Sequence, residues 1–285
     1  TLNGALRSNI SKLGENIVAL PAISTDDRHV LIADYNALSQ ASTPLWYDSV
    51  RDIATKLPLP DFYTGELSPD GKSLVYSDDH GRINTYALDG SGPPAVVYGG
   101  DPFAYMIGVA PDASTALFCA QTTHGLQFQF VSLQGSHETK PFGPISGANC
   151  VASFSPDGRW LAFESDDSGQ TEIYLAPVGN ANDRRQLSAS GGFMPVWRGD
   201  HIYYANAKHK FLAVEVKETA AGIDLGAPRE LFGGAPLAAV FVRQGRVGTG
   251  GYMTHDGKRF LIPIASTNTA PPLNLVTNWT AELKK

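Results

Sequence analysis

Two tetrads in this sequence put a hydroxyl two residues ahead of a carboxylate: Ser68-Pro69-Asp70-Gly71 and Ser155-Pro156-Asp157-Gly158. A serine beside an acid invites a hydrolase reading. Nucleophilic serines sit on a strained strand-to-helix turn of the Gly-x-Ser-x-Gly kind, however, and no such segment occurs. Pro presets φ, the Asp carboxylate accepts backbone N–H bonds and Gly tolerates positive φ, so the tetrad is a turn and its serines are turn residues. The acidic pairs Asp78-Asp79 and Asp166-Asp167 offer hard oxygen ligands to calcium, without the alternating Asp-x-Asp-x-Asp-Gly order of a known loop. They read as turn acids, and no metal site is assigned. The seven histidines are His29, His80, His124, His137, His201, His209 and His255, with no His-x-x-x-His pair. Single residues from separate repeats could still meet around an axis. The segment from Ser155 to Trp160 is only superficially like a sialidase Asp-box, because its spacing differs. No catalytic residue and no cofactor is assigned.

The tetrad also recurs. Worn copies stand at Ser24-Thr25-Asp26, Pro111-Asp112 and His255-Asp256-Gly257, and Trp197-Arg198-Gly199-Asp200 is an inferred member. Their acids, Asp26, Asp70, Asp112, Asp157, Asp200 and Asp256, follow one another at intervals of 44, 42, 45, 43 and 56. A period of this length between apolar runs marks a stacked or circular repeat. The longer last interval holds residues 235–251, rich in Gly and small side chains, which read as an inserted loop.

Each period contains four strand-like pieces; in the fourth they are 150–154, 160–164, 172–177 and 184–187. The sequence thus predicts an all-β fold, a six-bladed β-propeller of four-stranded antiparallel blades. The whole of 1–285 is expected to form one domain, with blades at about 15–58, 59–100, 101–144, 145–189, 190–233 and 234–285. After the last turn only two strands remain, so a strand at 7–13 is expected to complete the last blade.

Composition bounds the rest. The chain has 285 residues, 42% hydrophobic and 18% charged, with 29 Gly and 19 Pro to supply many turns. A formal charge of −6 with only small basic groups argues against a nucleic-acid partner. No apolar run is long enough to span a bilayer. The chain opens at Thr1 without a signal-peptide pattern, which suggests a processed protein or a domain of a larger one. Cys119 and Cys150 make no disulfide framework; free buried thiols are expected, with one disulfide as the other possibility.

The segments Phe154-Ser155-Pro156-Asp157-Gly158-Arg159-Trp160-Leu161-Ala162-Phe163 and Glu172-Ile173-Tyr174-Leu175 resemble the PD40 (WD40-like) repeat. That repeat builds the propeller of the periplasmic protein TolB and the non-catalytic propellers of prolyl-oligopeptidase-type peptidases. The carboxyl end, Asp256-Gly257-Lys258-Arg259-Phe260-Leu261 and Leu275-Val276-Thr277-Asn278-Trp279, resembles propeller regions of acidobacterial-type transmembrane serine/threonine kinases. These resemblances imply an extracytoplasmic, bacterial propeller that senses a ligand or binds a protein partner. A stand-alone TolB-type scaffold and a metal-dependent propeller hydrolase or lyase are the other readings. The isolated chain is expected to be monomeric.

Five residues before the Ser position of each turn stand Ala19, Tyr63, Tyr105, Cys150, Phe193 and Thr249. They share one level of the innermost strands, near a mouth of the central channel. The aromatics Tyr63, Tyr105 and Phe193 are therefore the candidate ligand-binding residues; the competing expectation is that they pack between blades as core.

Overall fold

A computed structural model describes residues 5–9, 17–36, 41–123, 125–143, 150–219, 222–233, 253–255, 257, 259–263 and 273–277. Among them there are twenty-four strands and no helix. The segment 235–251, Asp256 and residues 278–285 lie outside the described residues.

The strands follow the repeat. Unit one holds β2 (Ile17–Ile23), β3 (His29–Asn36), β4 (Ala41–Asp48) and β5 (Ile53–Lys56). Unit two holds β6 (Phe62–Leu67), β7 (Ser73–Asp78), β8 (Ile83–Ala87) and β9 (Ala95–Tyr98). Unit three holds β10 (Tyr105–Val109), β11 (Thr115–Thr122), β12 (Gly125–Ser132) and β13 (Thr139–Pro141). Unit four holds β14 (Ala152–Phe154), β15 (Trp160–Ser165), β16 (Glu172–Pro177) and β17 (Arg185–Gln186), within two residues of the expected strands. Unit five holds β18 (Phe193–Arg198), β19 (His201–Ala205) and β20 (Lys210–Thr219), with β21 (Gly222–Leu225) and β22 (Arg229–Gly233) both pairing with β20. Within each unit successive strands run antiparallel, and a single pair, Ser42↔Phe62, links the first two sheets. The last sheet is β1 (Ala5–Asn9), β24 (Leu273–Thr277) and β23 (Arg259–Pro263), in the order β1-β24-β23. The amino-terminal strand therefore lies at 5–9, earlier than the expected 7–13, and pairs Ala5↔Thr277 through Asn9↔Asn274.

Alternation along each second strand shows how the units pack. In β7, Leu74 and Tyr76 join the core shared with unit one, whereas Val75 joins the core shared with unit three. In β11, Ala116, Phe118 and Ala120 face unit two, and Leu117 and Cys119 face unit four. In β15, Leu161 and Phe163 pack toward unit three and Ala162 toward unit five. Successive side chains point to opposite faces of a strand, so both faces of these sheets are apolar and each is covered by a neighbour.

The turn between first and second strands is built the same way wherever its residues allow. Ser68 Oγ donates to Asp70 Oδ1 (2.6 Å) and accepts the Ser73 N–H (2.9 Å), while the Lys72 N–H reaches Asp70 Oδ1 (3.1 Å). The same three bonds recur at Ser155 with Asp157 and at Ser24 with Asp26. Thr254 plays the serine's part toward the Arg259 N–H (3.0 Å). Ala110 has no hydroxyl, and there Asp112 holds the Ser114 N–H alone (2.9 Å). Asp200 departs from the pattern: it lies in a two-residue turn with Gly199, between Arg198 and His201, and its carboxylate meets His201. Except at Asp200, where the preceding Gly199 does so instead, the residue after each Asp takes positive φ, and where Gly71 and Gly158 do so freely, Ala113 sits at φ 57°.

Cys119 and Cys150 form a disulfide, with a Cα–Cα distance of 5.8 Å, so the expectation of free thiols is corrected. Ladder pairing explains the meeting. Cys119 lies opposite Tyr105 on β10, and the Tyr105 hydroxyl accepts the Cys150 N–H (3.1 Å). The bond thus staples unit three to the start of unit four.

Two outcomes test this description. Replacing both cysteines by alanine removes a cross-link of sequence separation 31, expected to cost about 3–4 kcal/mol in denaturant unfolding. Titration of two free thiols in unreduced, unfolded protein would refute the bond. Ala113→Gly relieves a left-handed alanine and is expected to add up to about 1 kcal/mol, read as a raised unfolding midpoint.

Candidate functional site

The innermost strands β2, β6, β10, β14 and β18 all end at the Pro-Asp-Gly side of the molecule, and there their last residues surround a cavity of about 320 Å³. His255, from the sixth turn, completes the wall. Most of the lining is apolar, including Ile23, Leu67, Ile107, Phe154 and Trp197. Three ionisable side chains interrupt it: Glu66 from β6, Arg198 from β18, and His255.

Their environment sets their charge. Burial at the channel wall strips water from the Glu66 carboxyl and pushes it up to about 8, against the opposing pull of Arg198 and of the Leu67 N–H. The His255 imidazole is pushed down by burial and by the Arg198 cation, with Asp27 partly offsetting both. Asp27 Oδ1 accepts the His255 N–H at 2.6 Å and lies 3.3 Å from Nδ1, joining the first turn to the sixth. The Arg198 guanidinium donates from Nη1 to the Trp197 carbonyl (3.0 Å), and the Trp197 N–H is held by Ser153 Oγ (3.0 Å).

The candidate aromatics lie elsewhere, at the strand starts. The structure brings Tyr63 and Tyr105 together, ring centroids 6.4 Å apart in an edge-on arrangement. Both are half-buried, and Tyr105 packs against the core shared by units three and four. Phe193 opens β18 opposite Ala205, with its ring beside Gly191. Near Tyr105 stands the buried Glu164, which accepts the Met194 N–H (2.6 Å) and is pushed up to about 7, chiefly by burial.

The acids singled out in the sequence have structural tasks. Asp78 accepts the N–H groups of His80 and Arg82 and pairs with Arg82 Nε (2.7 Å) and Asn84 Nδ2 (3.2 Å). Asp166 accepts the Thr171 hydroxyl (2.7 Å), and Asp167 pairs with Arg184 (2.6 Å). Asp79 joins Asp61 and His80 in an exposed group whose ligand atoms lie within 4.8 Å of one another. His29 stacks on Trp46 at 4.9 Å. Ser68 and Ser155 are engaged in their turns. Among the described residues, His255 is the one histidine that lines the cavity.

The sequence expectation centred on the strand starts and did not single out Glu66, Arg198 or His255. A signal for Glu66 did exist: it stands two residues before Ser68, where the other described turns have Ala22, Gly108 and Ser153. A lone carboxylate in an otherwise uncharged inner strand is a residue with a reason to be there.

No family model matches the chain. The Agrobacterium fabrum protein Atu1656 is 28% identical over 132 residues, which span 45% of this chain and 45% of that protein. Among solved structures, one described as TolB from Agrobacterium tumefaciens superposes with TM-score 0.64 at 18% identity, covering 92% of this chain and 90% of that one. TolB from Acinetobacter baumannii gives 0.58 at 14% identity over 76% and 57%. Oligogalacturonate lyase in complex with manganese gives 0.58 at 15% identity over 90% and 88%. At these identities the likeness shows the fold, a β-propeller of TolB type.

The raised carboxyls give a pH dependence with a definite sign. Glu66 and Glu164 bind their protons more tightly folded than unfolded, so their contribution is complete below the ordinary carboxyl range and lost as pH rises through about 7 and 8. The thermal unfolding midpoint is therefore expected to fall as pH rises from the ordinary carboxyl range to about 8, and less steeply in Glu66→Gln and Glu164→Gln. A wild-type midpoint flat over this interval would contradict the assignment.

Proposed function

We propose that the chain closes into a six-bladed propeller and works without catalysis, docking a protein or small ligand over the turn-end mouth of its central channel. Closure is supported by the β1–β24 ladder and by the Asp27–His255 contact between the first and sixth turns. The observation that carries the binding reading is the convergence of Glu66, Arg198 and His255 on one mostly apolar cavity. Single polar groups set in an apolar concavity are the usual make-up of a ligand site. Likeness to TolB structures supports a scaffold that acts through partners. The disulfide suits an oxidising, extracytoplasmic compartment. A sensor domain of a larger bacterial protein, such as a receptor-like kinase, is the specific form we favour. The aromatics Tyr63, Tyr105 and Phe193 then belong to the opposite end, as packing and secondary contact.

Photo-crosslinking residues placed at Val109 and Phe154, on the turn-end mouth, are expected to capture a partner in the bacterial envelope. Gly108→Trp, which fills that mouth, is expected to abolish capture. Adducts formed only from Tyr63, at the strand starts, would refute the assigned face.

A second reading, a metal-dependent lyase, draws on the lyase likeness. The Arg198 cation in the axial cavity opposes a divalent ion there by charge repulsion. Protein purified without chelator is expected to carry well under one divalent ion per chain, and a stoichiometric ion bound at the axis would favour the lyase.

A further inference from the structure

The charge state of the turn-end cavity narrows the chemistry of what it takes. Desolvation pushes the Glu66 carboxyl up to about 8 and the His255 imidazole below its ordinary value, whereas a guanidinium keeps its proton at any accessible pH. The lining side chains together therefore present one positive charge and one carboxyl O–H. Asp27 lies behind His255, and its other oxygen is 3.7 Å from Arg259 Nη2, so this acid is engaged across the seam between the first and sixth turns. The remaining wall, Ile107, Phe154 and Trp197 among it, suits a small apolar group.

We propose that the cavity binds a carboxylate carrying a short apolar group, with Arg198 and the Glu66 carboxyl donating to the carboxylate oxygens and Ile107, Phe154 and Trp197 packing against the apolar part. This rests on the turn end being the docking face. A carboxylate matches a guanidinium in shape as well as charge, and a neutral carboxyl is a good donor to it. One positive charge suits a monoanion better than a phosphate dianion. The cavity volume of about 320 Å³ holds one such group and not a folded surface. Two sources offer this chemistry: a free short-chain organic acid, and the carboxyl-terminal residue of a polypeptide.

The test uses four probes in calorimetric titration against the whole chain: isocaproate, isocaproamide, N-acetyl-glycyl-leucine and its carboxyl-terminal amide. Both acids are expected to bind, and each amide about tenfold or more weakly, the loss of one charge-assisted bond. Tighter binding of the peptide acid identifies a polypeptide terminus as the source; tighter binding of isocaproate identifies a free acid. Arg198→Gln is expected to weaken both acids at least as much as amidation does. Gly108→Leu is expected to abolish binding, because a β-carbon there lies 3.7 Å from the Phe154 ring and its side chain enters the cavity. Above about pH 8 the ionised Glu66 opposes an anion, so wild-type affinity falls there while Glu66→Gln, a donor at every pH, retains it. Thermal unfolding of each variant separates lost binding from lost fold. Amides that bind as tightly as acids, or acid binding that survives Gly108→Leu, overturn the proposal. Partner cross-links at Val109 that persist while neither acid binds overturn the carboxylate chemistry and leave the docking face standing. Loss of those cross-links with acid binding intact overturns the docking face alone.

Discussion

A four-stranded sheet with apolar side chains on both faces cannot stand alone in water, and this requirement governs the molecule. Phe163 on one face of β15 and Ala162 on the other are both fully buried, yet their partners belong to units three and five. The same division holds for Leu74 and Val75, and for Leu117 and Phe118. Each sheet is thus stable only between two others. A linear stack of such sheets leaves one apolar face bare at each end, whereas a ring leaves none. β1 lies on the edge of β24, so a strand from one end of the chain is held in a sheet made from the other.

Stacking apolar faces creates a second problem, because first-strand N–H groups near the axis have no further strand to pair with. The protein meets it at three of the junctions with side-chain acceptors. Ser77 accepts the Met106 N–H, Tyr105 that of Cys150, Ser153 that of Trp197 and Glu164 that of Met194. Buried N–H groups left unpaired cost more than a typical hydrogen bond gains, so these acceptors are as necessary as the core itself. Glu164 illustrates the tension. Burial raises its proton affinity while the Met194 N–H bond opposes that rise, and the outcome lies near 7.

These two kinds of contact explain what the sequence made legible. The turn is local: hydroxyl, carboxylate and left-handed residue fall within four positions, so Ser68, Ser155 and even Thr254 could be recognised from composition alone. The four-strand order of units one to four followed from it, whereas unit five has five strands and the last described sheet three. Junction contacts join residues some thirty positions apart or more, and serine, tyrosine and glutamate serve as acceptors at positions that do not repeat, so no period betrays them. The cysteines are the plainest case. Nothing in their spacing announces a bond, and only the ladder that sets Cys119 opposite Tyr105 brings Cys150 within reach. Asp200 errs in the other direction: it keeps the interval of the repeat, but its turn is a two-residue link without the serine–aspartate bonds.

The candidate site was illegible for a related reason. Glu66, Arg198 and His255 come from separate units and meet only at the cavity their units frame together. Reading the repeat subtracts what is common to the units, and the turn residues are common, so the same reading that explains Ser68 and Asp70 says nothing of Glu66 two positions earlier. Closeness to the axis supplies what the sequence lacks. There side chains from every unit converge, water is scarce and ionisation is set by neighbours instead of solvent. The apolar faces that force the sheets together therefore also frame the cavity and shift the ionisation of the groups that line it. Desolvation pushes the Glu66 carboxyl up to about 8, and Arg198 keeps its charge because a guanidinium does not give up its proton. What distinguishes this cavity thus comes from the non-repeating residues of a repeating fold.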